Sequence, residues 1–177
     1  MFAPTGVGSG KGQRQNLGIR RSSSTRELGE FRPLLRAKVF DQAKTLIAEL
    51  KMSDARASRF ETELVAHGDG AFYVPHIDTQ TQAERDHIRI LSGVYYFHRL
   101  PKGFLGGELR LFGFGGGFVD IEPTHNSLLV FPSWARHEVR PVSCPSGAFM
   151  DSRFAINCWV YRPRPGAAAA QSEPTKA

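Results

Sequence analysis

Cysteine is scarce in this chain of 177 residues, which has only Cys144 and Cys158. Two thiols do not build a disulfide framework and are too few to hold zinc by themselves. Each reads as a small buried apolar residue. Long apolar runs are also missing. No stretch approaches the ~18 consecutive apolar residues that span a bilayer, and the N-terminus has no apolar leader core. The expectation is a cytoplasmic protein with no membrane partner. Acid is absent from the start of the chain. Lysines and arginines number 23 and acids 17, a formal charge of +6. Five of the cations (Lys11, Arg14, Arg20, Arg21 and Arg26) and none of the acids fall in residues 1–26, which leaves +1 for the rest. The remainder is near neutral and carries no nucleic-acid footprint, whereas the basic start could meet an anionic surface.

What is present organises into one domain. Residues 1–30 are rich in Gly, Ser and Arg without an apolar period and are expected to form a disordered basic tail. Residues 164–177, with four consecutive alanines, are expected to form a second disordered tail. Between them, Leu34, Leu35, Val39, Phe40, Ala43, Leu46, Ile47 and Leu50 recur at three- and four-residue steps, an amphipathic helix, with Pro33 near its start. From residue 60 the pattern changes to short runs rich in β-branched and aromatic residues, at 60–66, 71–77, 88–98, 107–113, 117–122, 127–132, 137–142 and 153–162. Turn sequences separate them, among them His67-Gly68-Asp69-Gly70 and the Gly-rich stretch 113–117. Strands after a single helix predict a mainly β jelly roll (a double-stranded β-helix) over residues 31–163, with one N-terminal supporting helix. An immunoglobulin-type sandwich is the rival, but no Cys…Trp…Cys arrangement supports it.

The chemistry concentrates on His76-Ile77-Asp78, at the end of the second run. Residues i and i+2 of a strand share a face, so His76 and Asp78 can hold one ion. A lone H-x-D arises often by chance. Here His137 opens a later strand, 59 positions downstream, and can supply a third ligand. Two histidines and a carboxylate on one face of an octahedron leave open positions, the arrangement of Fe(II) oxygenases. Alternation in 153–159 puts Arg153, Ala155, Asn157 and Trp159 on one face. An inward guanidinium needs an anionic partner, and a dicarboxylate would supply one through a two-pronged hydrogen bond. The competing reading of Arg153 is a strand-end side chain reaching water. His67, His87, His98 and His125 read as solvated, and Glu108 and Glu122 as structural.

The order of these runs resembles the 2-oxoglutarate/Fe(II) dioxygenases of the prolyl 4-hydroxylase type. Within that group it is similar to the prolyl hydroxylases of the hypoxia-inducible factor and to their bacterial relatives. The residues that carry the likeness are Tyr73-Val74-Pro75-His76-Ile77-Asp78, Val94-Tyr95-Tyr96-Phe97, Gly106-Gly107-Glu108-Leu109, Asp120-Ile121-Glu122-Pro123, His137-Glu138-Val139 and Arg153-Phe154-Ala155-Ile156. The resemblance implies Fe(II) on His76, Asp78 and His137, with 2-oxoglutarate and O2 as co-substrates and ascorbate as an accessory. It implies that Arg153 and Tyr96 grip the distal carboxylate of 2-oxoglutarate and that Tyr73 lines its pocket. Asn157 stands where relatives often carry Thr, and Trp159 matches an aromatic expected to pack.

The activity implied is hydroxylation of an unactivated C–H bond with release of succinate and CO2. A prolyl residue of a peptide or protein is the first expectation, and a free amino acid or small metabolite the second. A non-catalytic, cupin-like metal-binding module is the alternative from another class, but such a module has no need of a dicarboxylate clamp. The sequence departs from the resemblance in a loop at 143–151, expected at the substrate entrance. The polar segment from Asp78 to Asp86 is expected to act as a lid. The oligomeric state is not readable.

Overall fold

The structure, a computed structural model, describes residues 1–6, 16–52, 57–79 and 86–164. Ala3–Pro4 (β1), Arg20–Arg21 (β2) and Ser23–Thr25 (β3) precede a helix, Phe31–Glu49 (α1). Strands then follow at Arg59–His67 (β4), Phe72–His76 (β5), His87–Phe97 (β6), Leu105–Gly106 (β7) and Leu109–Phe112 (β8). They continue with Phe118–Ile121 (β9), Ser127–Pro132 (β10), His137–Val139 (β11), Val142–Ser143 (β12) and Arg153–Pro163 (β13). The major sheet runs β1-β3-β4-β13-β6-β10 and the minor sheet β2-β5-β11-β8-β9, both through antiparallel pairs. This is the expected jelly roll with one supporting helix.

Alternation along β13 divides the interior in two. Phe154, Ile156, Cys158 and Val160 are buried on the outer face. There Ile156, Cys158 and Val160 join Leu35 and Val39 of α1, Phe60, Ile90 and Leu91 in one core. This core explains why a helix forms here, since its apolar stripe has a sheet to bury against. Leu34, although apolar, stays 63% exposed. Ala155 faces the other way and packs with Val94, Tyr96, Leu109 and Phe131 between the sheets. Cys144 and Cys158 are both buried free thiols, and burial pushes the Cys158 pKa up to about 12.

The start of the chain departs from expectation. Among the described residues 1–6 and 16–30, β2 pairs with β5 and β3 with β4, so residues 20–25 pass from the minor to the major sheet where a tail was expected; residues 7–15 lie outside the described residues. The Thr5 N–H donates to Ser22 O at 2.9 Å, tying β1 to the same crossing. Strands of two or three residues are too short for an apolar period. They are held by main-chain hydrogen bonds to sheet edges, which composition does not register. The loose C-terminal tail falls largely on residues 165–177, outside the described residues. The expected strand 137–142 also breaks in two. Pro141 has no N–H to give the ladder, the Arg140 N–H turns to Glu108 O at 3.0 Å, and β12 pairs instead with β7. Among the described residues no helix is long and apolar enough to cross a membrane.

Candidate active site

The two sheets hold a cavity of about 120 Å³ between them, lined by residues that include His76, Asp78, His137, Tyr73, Arg153, Asn157 and Trp159. His76 ends β5 and His137 begins β11, directly opposite each other in the pairing of those strands. Their ring centroids are 4.2 Å apart. Asp78 follows β5. Its N–H and that of Thr79 both donate to Ser133 O, at 2.9 and 3.0 Å, pinning the ligand to the end of β10. Asp78 Oδ1 lies 3.9 Å from His76 Nε2, and Oδ2 lies 3.7 Å from His137 Nε2. All three donor atoms fall within 4.8 Å of one another.

Main-chain contacts fix the imidazole tautomers. His76 Nδ1 is 2.8 Å from Val74 O and His137 Nδ1 is 2.9 Å from Ala135 O. A carbonyl only accepts, so each Nδ1 carries the proton and each Nε2 lone pair faces the shared centre. Burial, then the neighbouring His137, pushes the His76 pKa down to about 4, which keeps that ring neutral and able to ligate. For Asp78, burial opposes the charge. The nearby histidines and the hydrogen bonds from Ser92 and Trp159 outweigh burial and hold its pKa below the ordinary value.

Asp78 is oriented by a chain of donors. Ser92 Oγ donates to Oδ2 at 2.7 Å and Trp159 Nε1 donates to the same oxygen at 3.0 Å. Ser92 has one hydroxyl proton, so the 2.9 Å contact with Ser133 Oγ runs from Ser133 to Ser92. Trp159 therefore does more than pack, which corrects the sequence expectation. Arg89 sits over its ring at 4.1 Å and donates from Nε to Tyr161 Oη at 2.8 Å. Arg89 stands opposite Tyr161, across a register shift between Val160 and Tyr161 that re-aims it at the cavity.

Arg153 is 1% exposed. Its Nε donates to Gly107 O at 2.6 Å, its Nη1 lies 3.4 Å from His67 Nδ1, and its guanidinium covers the Tyr96 ring at 5.0 Å. Gly107 has φ +75°, and a Cβ there would meet Arg153 Cδ at 2.6 Å, so the close approach requires glycine. Arg153 Nη2 and Tyr96 Oη are buried with no hydrogen-bond partner, and among the described residues no carboxylate pairs with Arg153. Burial pulls the Arg153 pKa down. A buried cation with unused donors is costly unless an anion meets it. Two imidazole nitrogens and a carboxylate at one end, and this anion cradle at the other, fit Fe(II) and 2-oxoglutarate.

Tyr73 stacks on His76 with centroids 3.6 Å apart, and the Arg20 guanidinium lies over the Tyr73 ring at 4.9 Å. Asn157 lines the cavity beside them. Sequence reasoning missed Arg20, which pairs with Glu63 Oε2 at 3.6 Å, because it lay in a stretch read as unstructured. It also missed His67, expected in solvent but 3% exposed at the end of β4. A signal existed: Glu61, Glu63, Val65 and His67 alternate onto one face, and His67 stands opposite Arg153. His98 and His125 do lie near the surface, their rings edge to face at 5.0 Å. Residues 143–151 do not line the cavity. Instead Phe149 packs edge-on against Phe154, on the outer face of the major sheet. The expected lid falls largely on residues 80–85, outside the described residues.

The geometry agrees with the comparisons. The family model described as the 2OG-Fe(II) oxygenase superfamily matches residues 62–161, and the chain belongs to that family. Over 138 residues, 73% of this chain, it is 37% identical to an uncharacterised PKHD-type hydroxylase of Synechocystis, and the match spans 45% of that relative's length. A crystal structure of a Pseudomonas putida prolyl-4-hydroxylase is similar at TM-score 0.61 and 26% identity, over 82% of this chain and 74% of that one. The fold is also that of a Trichoplax adhaerens prolyl hydroxylase bound to a hypoxia-inducible-factor peptide, at TM-score 0.63 and 22% identity, over 96% and 74% of the two chains.

Proposed function

We propose that this chain is an Fe(II)- and 2-oxoglutarate-dependent hydroxylase acting on a prolyl residue of a peptide or protein. The observation that carries the reading is one cavity with three metal-ligand donors within 4.8 Å of one another and a buried arginine that makes no ion pair with a carboxylate among the described residues. Bound Fe(II), with 2-oxoglutarate and O2, would supply the oxidation that places oxygen on an unactivated C–H bond, leaving succinate and CO2.

The chain's own residues have definable parts. His76 and His137 turn their Nε2 atoms to the shared centre, with their Nδ1 atoms held by main-chain carbonyls. Asp78 stays ionised under the donors of Ser92 and Trp159. Arg153 and Tyr96 hold the far carboxylate of the co-substrate and so set its direction. Val94, Leu109 and Val139 line the same cavity and exclude water from it. The prolyl assignment is supported by the likeness to the Pseudomonas putida prolyl-4-hydroxylase.

The test supplies Fe(II), 2-oxoglutarate and O2, with and without ascorbate, to prolyl peptides, free proline and other free amino acids. Succinate and the mass of each candidate substrate are then followed. Succinate formed in step with one oxygen gained by a prolyl peptide is the expected result. Coupling to a free amino acid alone would move the substrate to the second class. Iron binding without turnover on any candidate would leave a non-catalytic metal-binding module.

A further inference from the structure

A turn that braces the metal ligands also exposes a tryptophan. Ser133 O accepts the N–H of Asp78 and of Thr79, at 2.9 and 3.0 Å, and Ala135 O accepts from His137 Nδ1 at 2.9 Å. Trp134 stands between these two carbonyls, in a turn closed by the Ala135 N–H on Pro132 O at 2.9 Å. Its main chain is thus fixed to the ligand set on both sides, yet its side chain is 49% exposed. Phe114 stacks on it with ring centroids 5.6 Å apart and is itself 96% exposed. Phe114 lies in the turn closed by the Gly113 N–H on Gly117 O, just beyond β8, whose Leu111 pairs with His137. Two large rings therefore stand in water beside the metal end of the cavity, and neither belongs to the core nor lines the cavity.

Arg136 adds a charge to this patch. It is exposed, its guanidinium lies over the Phe112 ring at 4.9 Å, and its carbonyl accepts the Phe112 N–H at 2.9 Å. On the same sheet Arg110 pairs with Asp120, and Arg140 with Glu138, whereas Arg136 makes no ion pair with a carboxylate among the described residues. Exposed apolar patches rimmed by charge mark interaction sites, and aromatic anchors beside arginine carry much of the binding energy in such sites. The cavity, at about 120 Å³, can admit a target side chain but not the chain that bears it. The segments flanking a hydroxylated residue must therefore lie along the rim, where these rings stand.

We infer that Phe114, Trp134 and Arg136 form a docking platform for the polypeptide substrate. The two rings take an apolar side chain of the extended segment that flanks the reacting residue, and Arg136 takes a carboxylate of the same segment. The inference rests on the proposed function for the presence of a polypeptide, and it adds what that polypeptide must carry outside the reacting residue. The platform is continuous with the ligand set through Ser133 and Ala135, so a segment seated on it is held at a set distance from the metal. A free amino acid that fits inside the cavity would leave all three side chains without a task. The unmatched charge of Arg136 favours an acidic partner over a basic one.

The test gives the full chain, with Fe(II), 2-oxoglutarate and O2, two probes. One is a library of blocked undecapeptides with a central proline and random flanks, and the other is a blocked Ala-Pro-Ala tripeptide. Oxygen gained is read by mass, and the Fe(II) and 2-oxoglutarate affinities of each variant serve as folding controls. The wild type is expected to select apolar and acidic flanks and to prefer a selected undecapeptide to the tripeptide by about 10-fold or more in kcat/KM. Phe114→Ser and Trp134→Ser should each raise the KM for that undecapeptide about 10-fold with little change in kcat. Arg136→Glu should turn the flank preference from acidic to basic. A wild type without flank preference, or a preference that survives all three substitutions, would overturn the inference and leave the functional reading standing. Loss of kcat together with Fe(II) affinity in Phe114→Ser as well as Trp134→Ser would show that the patch only braces the ligands, and would overturn it too. A wild-type dimer that Phe114→Ser splits, with flank preference intact, would assign the patch to a second copy of the chain and overturn it. Oxygen gained by no peptide in the wild type would sink the functional reading itself, and the inference with it.

Discussion

Replacing Trp159 by Phe tests how the carboxylate ligand is held. The change keeps an aromatic ring beneath Arg89, which lies 4.1 Å above the indole, and removes the N–H that donates to Asp78 Oδ2 at 3.0 Å. A hydrogen bond to a charged group contributes about 1.5–3 kcal/mol. Ser92 still donates to the same oxygen at 2.7 Å, so the loss should fall in the lower part of that range. At about 1.4 kcal/mol per tenfold, divalent-metal affinity should weaken by roughly 10-fold and stay within the roughly 100-fold typical of such outer partners. The assay is anaerobic competition for Fe(II) against a chelator of known affinity, with Tm as the folding control. Ser92→Ala should cost at least as much, because it also strands the Ser133 hydroxyl. The two losses should not add, since both act on one oxygen. Unchanged metal affinity in a folded Trp159→Phe protein would refute the claim that the indole N–H orients Asp78.

Three further outcomes follow from the same contacts. His76 has a folded pKa of about 4 against an ordinary 6.5, so between those values the unfolded chain holds more protons. Its contribution is complete above about pH 6.5 and is lost as pH falls toward 4. The metal-free Tm should drop across that window, and a profile equally steep in His76→Gln would refute the assignment. Gly107→Ala puts a side chain at φ +75° and within 2.6 Å of Arg153 Cδ, so it should destabilise by about 1–3 kcal/mol and raise the KM for 2-oxoglutarate more than it lowers kcat. Leu91→Ala, in the core beneath α1 at 1% exposure, should cost about 2–5 kcal/mol in urea unfolding without altering 2-oxoglutarate affinity in the folded protein.

The parts of this site that sequence disclosed are those written in local spacing. His76 and Asp78 stand two apart at a strand end, and Arg153, Ala155, Asn157 and Trp159 alternate along one strand, so backbone geometry alone brings each set to one face. His137, opening a later strand, was legible as a third ligand, and the family likeness then supplied the role of Tyr96. What stayed hidden depends on partners distant in sequence. His67 reads as a turn residue until β4 is seen to continue one position further and lie against β13. Trp159 reads as packing because its acceptor is 81 positions away. Arg20 lies in a stretch whose Gly, Ser and Arg content resembles disorder. Its order comes from pairing with β5 and from Tyr73 and Glu63, which no local pattern encodes.

The central claim is that His76, Asp78 and His137 form an iron site. Anaerobic Fe(II) binding to the wild-type chain, to His137→Ala and to Arg153→Ala tests it most directly. One Fe(II) per chain in wild type and Arg153→Ala, with loss in His137→Ala, is the predicted result. Absence of Fe(II) binding in the folded wild-type protein, or binding that survives His137→Ala undiminished, would contradict the account.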